Sequence, residues 1–183
     1  MNCPVCKTFV LETVTLDDGL PAYRCPNCTG VWLNGNEYLR WVMARPNLLP
    51  AAEITDAPIP TVDADTVKLC PDCGHMLRRF RVIPNVQFWL DRCGHCHGVW
   101  LDRQEWDALV ARSLHDKVNQ FFTQPWQTHM QRAESTARFE QLYRDKFGDA
   151  DYARLRELDA WLRPHPQRAM LLAYLQSNDP YAV

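Results

Sequence analysis

The chain has 183 residues, 46% hydrophobic and 23% charged, the balance of a folded globular protein and too short for a large multidomain enzyme. Its 20 basic and 22 acidic residues leave a net charge of −2, which excludes a protein that wraps nucleic acid mainly by charge. No run reaches the roughly 18 apolar residues of a membrane span, and Met1-Asn2-Cys3-Pro4 lacks the basic, apolar pattern of a secretory signal, so a cytoplasmic protein with no membrane contact is expected.

The chain opens on Cys3-x-x-Cys6. An alternating stretch follows, with Val10, Glu12, Val14 and Leu16 on one side and Leu11, Thr13 and Thr15 on the other. Asp17-Asp18-Gly19 turns the chain into a second strand, Leu20 to Arg24, which leads to Cys25-x-x-Cys28. Gly30-Val31-Trp32-Leu33 and Asn34-x-x-Glu37 come next; the last resembles a capping box that starts a helix. Residues 46–66 hold Pro46, Pro50, Pro58 and Pro60 with Glu53, Asp56, Asp63 and Asp65, and no basic residue. This reads as an extended acidic linker that separates two cores.

The pattern then repeats. Cys70-x-x-Cys73 precedes a strand from Leu77 to Ile83, a turn at Pro84-Asn85, a returning strand from Val86 to Arg92, and Cys93-x-x-Cys96. Gly98-Val99-Trp100-Leu101 and Asp102-x-x-Glu105 close the second copy. The first cysteine pair recurs 67 residues on (3 to 70), and the second pair and the Gly-Val-Trp-Leu run recur 68 residues on (25 to 93, 30 to 98). An internal duplication explains this.

All eight cysteines thus form two quartets, C-x2-C-x18-C-x2-C and C-x2-C-x19-C-x2-C. In a reducing compartment such spacing holds metal, because two knuckles joined by a hairpin bring four thiolates around one tetrahedral ion. Two redox centres are the alternative, but no βαβ pattern surrounds either pair. Four thiolates close the coordination sphere, so the sites are expected to be structural: two zinc ions per chain, supplying folding energy to ribbons too small to fold alone. His75, His95 and His97 lie near the second quartet and read as surface residues of the knuckle loops. Trp32 and Trp100 are expected to pack over the knuckles.

From Asp102 onward the sequence reads helical, with Trp106, Val110, Leu114, Val118 and Phe121 or Phe122 along one stripe. Pro125 opens a second helix that Gly148 closes. Asp151 caps a third, carrying Leu155, Leu158 and Leu162, and Pro166 starts a fourth with Met170, Leu171, Tyr174 and Leu175. His115, His129 and His165 are isolated and read as surface or interface residues, and no nucleophile motif is present.

The segments CPVC…CPNC-x-GVWLNGNE and CPDC…CGHC-x-GVWLDRQE resemble two copies of the bacterial TFIIB-type zinc-ribbon domain, over roughly residues 1–43 and 69–111. The resemblance implies zinc on Cys3, Cys6, Cys25 and Cys28, and on Cys70, Cys73, Cys93 and Cys96. The family's glycine after a knuckle's second cysteine is Lys7, Thr29 and His97 here, and only Gly74 matches. The family name does not itself establish a role in transcription.

The expected fold class is small metal-bound β plus α: a zinc ribbon with a short helix at 1–45, the linker at 46–66, a second ribbon at 67–111 and a helical region at 112–183. The expected function is non-enzymatic, with no catalytic residues: two ribbons and a helical tail that recognise a protein or self-associate through the tail. A second reading is nucleic-acid binding in a transcription-related role through Arg78, Arg79, Arg81 and Arg92, which lie beside Phe80, Phe88 and Trp89. A third is rubredoxin-like electron transfer, since four thiolates also suit iron.

Overall fold

A computed structural model describes residues 1–45, 66–84 and 88–181. All but the last residue of the acidic linker, and the turn at Asn85, lie outside the described residues. The chain forms two compact units, Met1–Glu134 and Ser135–Val183.

In the first unit each cysteine repeat builds a hairpin and a short third strand. The first repeat gives β1 (Glu12–Leu16), β2 (Leu20–Arg24), β3 (Val31–Leu33) and the helix α1 (Gly35–Met43). The second gives β4 (Leu77–Arg81), β5 (Trp89–Cys93), β6 (Val99–Leu101) and the helix α2 (Glu105–Ala111). The six strands form one antiparallel sheet in the order β1-β2-β3-β6-β5-β4. The repeats meet at its centre, where Val31 pairs with Leu101, Trp32 with Trp100 and Leu33 with Val99. That register is symmetric, so the two ribbons are related as the halves of a dimer within one chain.

The cores are therefore not separate, as the linker's composition suggests, because β3 and β6 alternate across a shared sheet. Val31, Leu33, Val99 and Leu101 face one cluster with Leu16, Leu20, Tyr38, Trp41, Leu90, Trp106, Leu109 and Phe121. Trp32 and Trp100 face the opposite side, in a cluster with Cys3, Cys25, Cys70 and Cys93. Period-two alternation thus assigns one face to the helices and the other to the cysteine knuckles.

The helix starts differ between repeats. Asn34 caps α1, its side chain accepting from the N–H groups of Asn36 (3.0 Å) and Glu37 (3.3 Å). Asp102 does not cap α2. Gln104, left-handed at φ 67°, precedes that helix, and Asp102 contributes its own N–H to Glu105 Oε2 at 2.7 Å. Only half of the expected capping box forms, because the Asp102 carboxylate is occupied elsewhere.

The apolar stripe after Asp102 is not one helix. α2 ends at Ala111, Ser113 turns left-handed at φ 51°, and a four-residue helix α3 (Val118–Phe121) follows. The break lets the Tyr38 hydroxyl clamp the segment: it donates to the His115 carbonyl at 2.8 Å and accepts from the Val118 N–H at 3.1 Å. His115 is buried against Trp41 and Trp106, not at the surface as its isolation in sequence suggests.

The helix α4 (Gln124–Phe147) carries Pro125 in its first turn. Its start docks on the second hairpin: Trp126 Nε1 donates to the Val82 carbonyl at 3.2 Å, and Gln127 Nε2 to the Arg81 carbonyl at 2.8 Å. The second unit holds the rest of α4, α5 (Asp149–Leu162) and α6 (Arg168–Gln176). Gly148, at φ 77°, sits between α4 and α5, and α5 begins two residues before Asp151, which does not cap it. Tyr152 and Leu162 are buried, whereas Phe139, Phe147, Leu155, Trp161, Met170 and Leu175 are exposed. Among the described residues no helix is long and apolar enough to cross a membrane.

Candidate metal centre

Each knuckle is one tight turn. The N–H of the residue after its second cysteine returns to the first cysteine's carbonyl: Lys7 to Cys3 (2.8 Å), Thr29 to Cys25 (3.0 Å), Gly74 to Cys70 (2.9 Å) and His97 to Cys93 (3.1 Å). Closing such a turn needs a left-handed residue, and all four lie at φ between 61° and 73°. Lys7, Thr29 and His97 hold this conformation without being glycine, so the knuckles keep their geometry despite the substitutions, at a local cost of roughly 1–2 kcal/mol each.

The turns bring the thiols together. The Sγ atoms of Cys3, Cys6, Cys25 and Cys28 lie within 4.8 Å of one another, as do those of Cys70, Cys73, Cys93 and Cys96. Cys3 and Cys28 stand 3.6 Å apart and Cys6 and Cys25 3.9 Å. Cys70–Cys96 and Cys73–Cys93 are each separated by 3.5 Å. A tetrahedron with zinc–sulfur bonds of about 2.3 Å has edges near 3.8 Å, whereas a disulfide would need about 2.05 Å. All eight cysteines are free. The residues therefore fit a tetrahedral thiolate-bound metal ion at each quartet.

The surroundings favour thiolates at particular positions. The N–H of Cys6 points to Cys3 Sγ at 3.3 Å, that of His95 to Cys93 Sγ at 3.4 Å, and Asn27 Nδ2 to Cys6 Sγ at 3.3 Å. Burial pushes the Cys3 and Cys96 thiols up to about 11 and drives those of Cys28 and Cys70 further above the ordinary range. At Cys93 burial is outweighed by the N–H donors of Cys96 and His95, and the thiol falls to about 7. Cys25 is lowered in the same way by Cys28 and Asn27. A bound cation supplies the positive charge that four crowded thiolates require.

The two quartets are linked through the ribbons. Trp32 Nε1 donates to Asp72 Oδ2 at 3.1 Å, and Asn34 Nδ2 to the same oxygen at 3.2 Å, although Asp72 lies between the ligands of the other quartet. A methyl group at Gly35 would meet the Cys96 carbonyl oxygen at 2.8 Å, so α1 starts directly against the opposite knuckle. In the second repeat Trp100 Nε1 instead donates to Asp102 Oδ1, at 2.7 Å. The other Asp102 oxygen accepts from Lys68 Nζ at 2.8 Å, and Lys68 also reaches Asp91 Oδ2 at 2.5 Å. Lys68 is fully buried. Sequence reasoning missed this cluster. A usable sign was Asp91, which shares a strand face with Cys93 and would be buried there without a partner.

The remaining candidates disperse. His75 and His95 stack at 4.5 Å on the surface, and His97 is exposed. The four arginines of the second hairpin do not form one open patch. Arg81 pairs with Glu134 and lies 4.3 Å from the Trp89 ring centroid, and Arg92 covers Phe122 at 4.8 Å; Arg78 and Arg79 are exposed. Between the first knuckles of the two ribbons runs a groove of about 620 Å³, lined by Pro4, Lys7, Val67, Leu69 and Pro71 among others.

Comparison with known proteins agrees with the geometry. Residues 2–44 and 69–112 match the family model described as a transcription factor zinc-finger, the TFIIB-type zinc ribbon. No curated protein and no solved structure shows significant similarity to the chain. Residues 2–44 and 69–112 are therefore two tandem members of the TFIIB-type zinc-ribbon family, followed by helices that the family model does not span.

Proposed function

We propose that this is a non-enzymatic, cytoplasmic zinc protein whose two structural sites hold a surface for binding another protein. The observation that carries the reading is the use of all four thiols in each quartet at tetrahedral spacing. Cys3, Cys6, Cys25 and Cys28 would hold one zinc ion and Cys70, Cys73, Cys93 and Cys96 the other. Each ion would neutralise its thiolates and staple a hairpin to its knuckles, with no position left for a water or substrate. The cysteine chemistry suits a reducing compartment.

Protein is the favoured partner because both units expose large apolar side chains. Val67 and Leu69 stand exposed in the inter-ribbon groove, and Phe139, Phe147, Trp161 and Met170 are exposed on the second unit. Large apolar patches on a folded chain usually mark interaction sites. Metal analysis and sedimentation of the full chain test both halves of the reading. Two zinc ions per chain are expected, together with self-association or a defined complex that Phe139→Ser with Trp161→Ser weakens. A strictly monomeric chain whose partner capture ignores these substitutions would overturn the protein-binding half. A red, iron-loaded protein would overturn the zinc half.

Nucleic-acid binding is the second reading, supported by the exposed Arg78 and Arg79. A well-defined complex whose affinity falls steeply between two salt concentrations would favour it.

A further inference from the structure

We infer that the two four-cysteine sites take up metal as one cooperative unit: an ion at either quartet organises the other. This rests on the reading of both quartets as zinc sites and goes beyond it, because closed structural sites on separate ribbons would fill independently.

Four contacts carry the inference. The β3–β6 pairing makes each ribbon's third strand part of the other's sheet. Trp32 and Trp100 are fully buried in a single cluster that contains two cysteines from each quartet. Asp72, between Cys70 and Cys73, is held by Trp32 and Asn34 of the other ribbon. Gly35, also of the first ribbon, abuts the backbone of Cys96 and His97. Both knuckles of the second quartet are thus contacted by Trp32, Asn34 and Gly35, first-ribbon residues that lie within one short segment after Cys28. A ribbon this small does not hold its fold without metal, so losing one ion removes the surface against which the other knuckles are set. The coupling is necessarily reciprocal: whatever the first ion contributes to binding the second, the second contributes to the first.

The distribution of loaded states tests this in the full-length wild-type chain. Metal-free protein is given one equivalent of Zn2+, and native mass spectrometry counts chains with no, one and two ions. Equal independent sites would leave about half of the chains singly loaded, and independent sites of very different affinity would leave nearly all singly loaded. Cooperative filling instead gives mostly empty and doubly loaded chains, with roughly a tenth or less singly loaded.

Asp72→Ala keeps all eight cysteines and is expected to hold two ions at excess Zn2+ while raising the singly loaded fraction several-fold at one equivalent. A singly loaded fraction of half or more in the wild type overturns the inference. An unchanged distribution in Asp72→Ala overturns the route through Asp72. Failure to bind two ions even at excess Zn2+ is a different result, which removes the underlying zinc reading instead.

Discussion

Trp100 fills the space that Gly30 leaves open: a methyl group at Gly30 would stand 2.3 Å from Trp100 Cζ2. The relationship is reciprocal, since one at Gly98 would stand 2.2 Å from Trp32 Cζ2. Each ribbon therefore carries both a wide indole and the absence of a side chain that its partner needs. Gly30→Ala or Gly98→Ala forces an indole or the central strand pair to move, which costs about 1–3 kcal/mol in a well-packed core. Each variant should lower the urea midpoint, followed by tryptophan fluorescence, without loss of any cysteine ligand. Two wild-type midpoints would show that the indoles can separate freely.

The Lys68 cluster sets a second expectation. Asp102 accepts from the buried Lys68 and from Trp100, so Asp102→Ala removes these buried hydrogen bonds and not a helix cap. Lys68→Met leaves two buried carboxylates without their shared cation, and breaking such a pair costs about 3–5 kcal/mol. Both variants should lose stability on that scale in urea denaturation, against about 0.5–2 kcal/mol for a lost cap alone. Burial opposes the charge on Lys68, but the hydrogen bonds and charges of Asp102 and Asp91 outweigh it and raise its pKa. A raised lysine contributes fully below its unfolded value of about 10.4 and loses that contribution as pH climbs through the folded value. Lys68→Met should therefore erase a stability loss that the wild type shows only at strongly alkaline pH.

Thr29 offers a stabilising change. It is exposed, β-branched and left-handed at φ 62°. Glycine at this position relieves roughly 1–2 kcal/mol of backbone strain and returns about 0.4–1 through greater unfolded freedom. Thr29→Gly should raise the unfolding free energy by roughly 0.5–1 kcal/mol, read as a higher denaturation midpoint. A decrease would mean that the threonine side chain contributes more than its backbone costs.

Metal removal provides the fourth test. Binding four thiolates displaces protons from buried thiols, so zinc uptake should acidify an unbuffered solution, and affinity should fall as pH falls. Against a fixed chelator the chain should retain both ions at about pH 8 and surrender them by about pH 5. Near-ultraviolet circular dichroism should collapse with the zinc, because Trp32 and Trp100 then lose their fixed surroundings. Retention of that signal in metal-free protein would show that the sheet holds without its ions.

The quartets and hairpins were legible in the sequence because their determinants are local: cysteine spacing, two-residue alternation and turn residues. The union of the ribbons was not. Gly30-Val31-Trp32-Leu33 and Gly98-Val99-Trp100-Leu101 stand out only as a repeat, and nothing local to them shows that each glycine makes room for the opposite tryptophan. Pairing across 68 residues depends on shape and register that no local period encodes. Asp102 misled for a similar reason. Its spacing to Glu105 fits a capping box, and only the distant Lys68 shows why its carboxylate turns inward.

A lone ribbon of this type would end in an apolar strand with one free edge, the standard invitation to pair with any passing strand. Here the edge of β3 is taken by β6, and the edge of β6 by β3. Because both copies lie on one polypeptide, the partner is present at high effective concentration however dilute the protein becomes. Duplication has thus turned an aggregation hazard into the protein's central joint, and among the described residues the sheet's outer strands are β1 and β4, the two furthest from that joint.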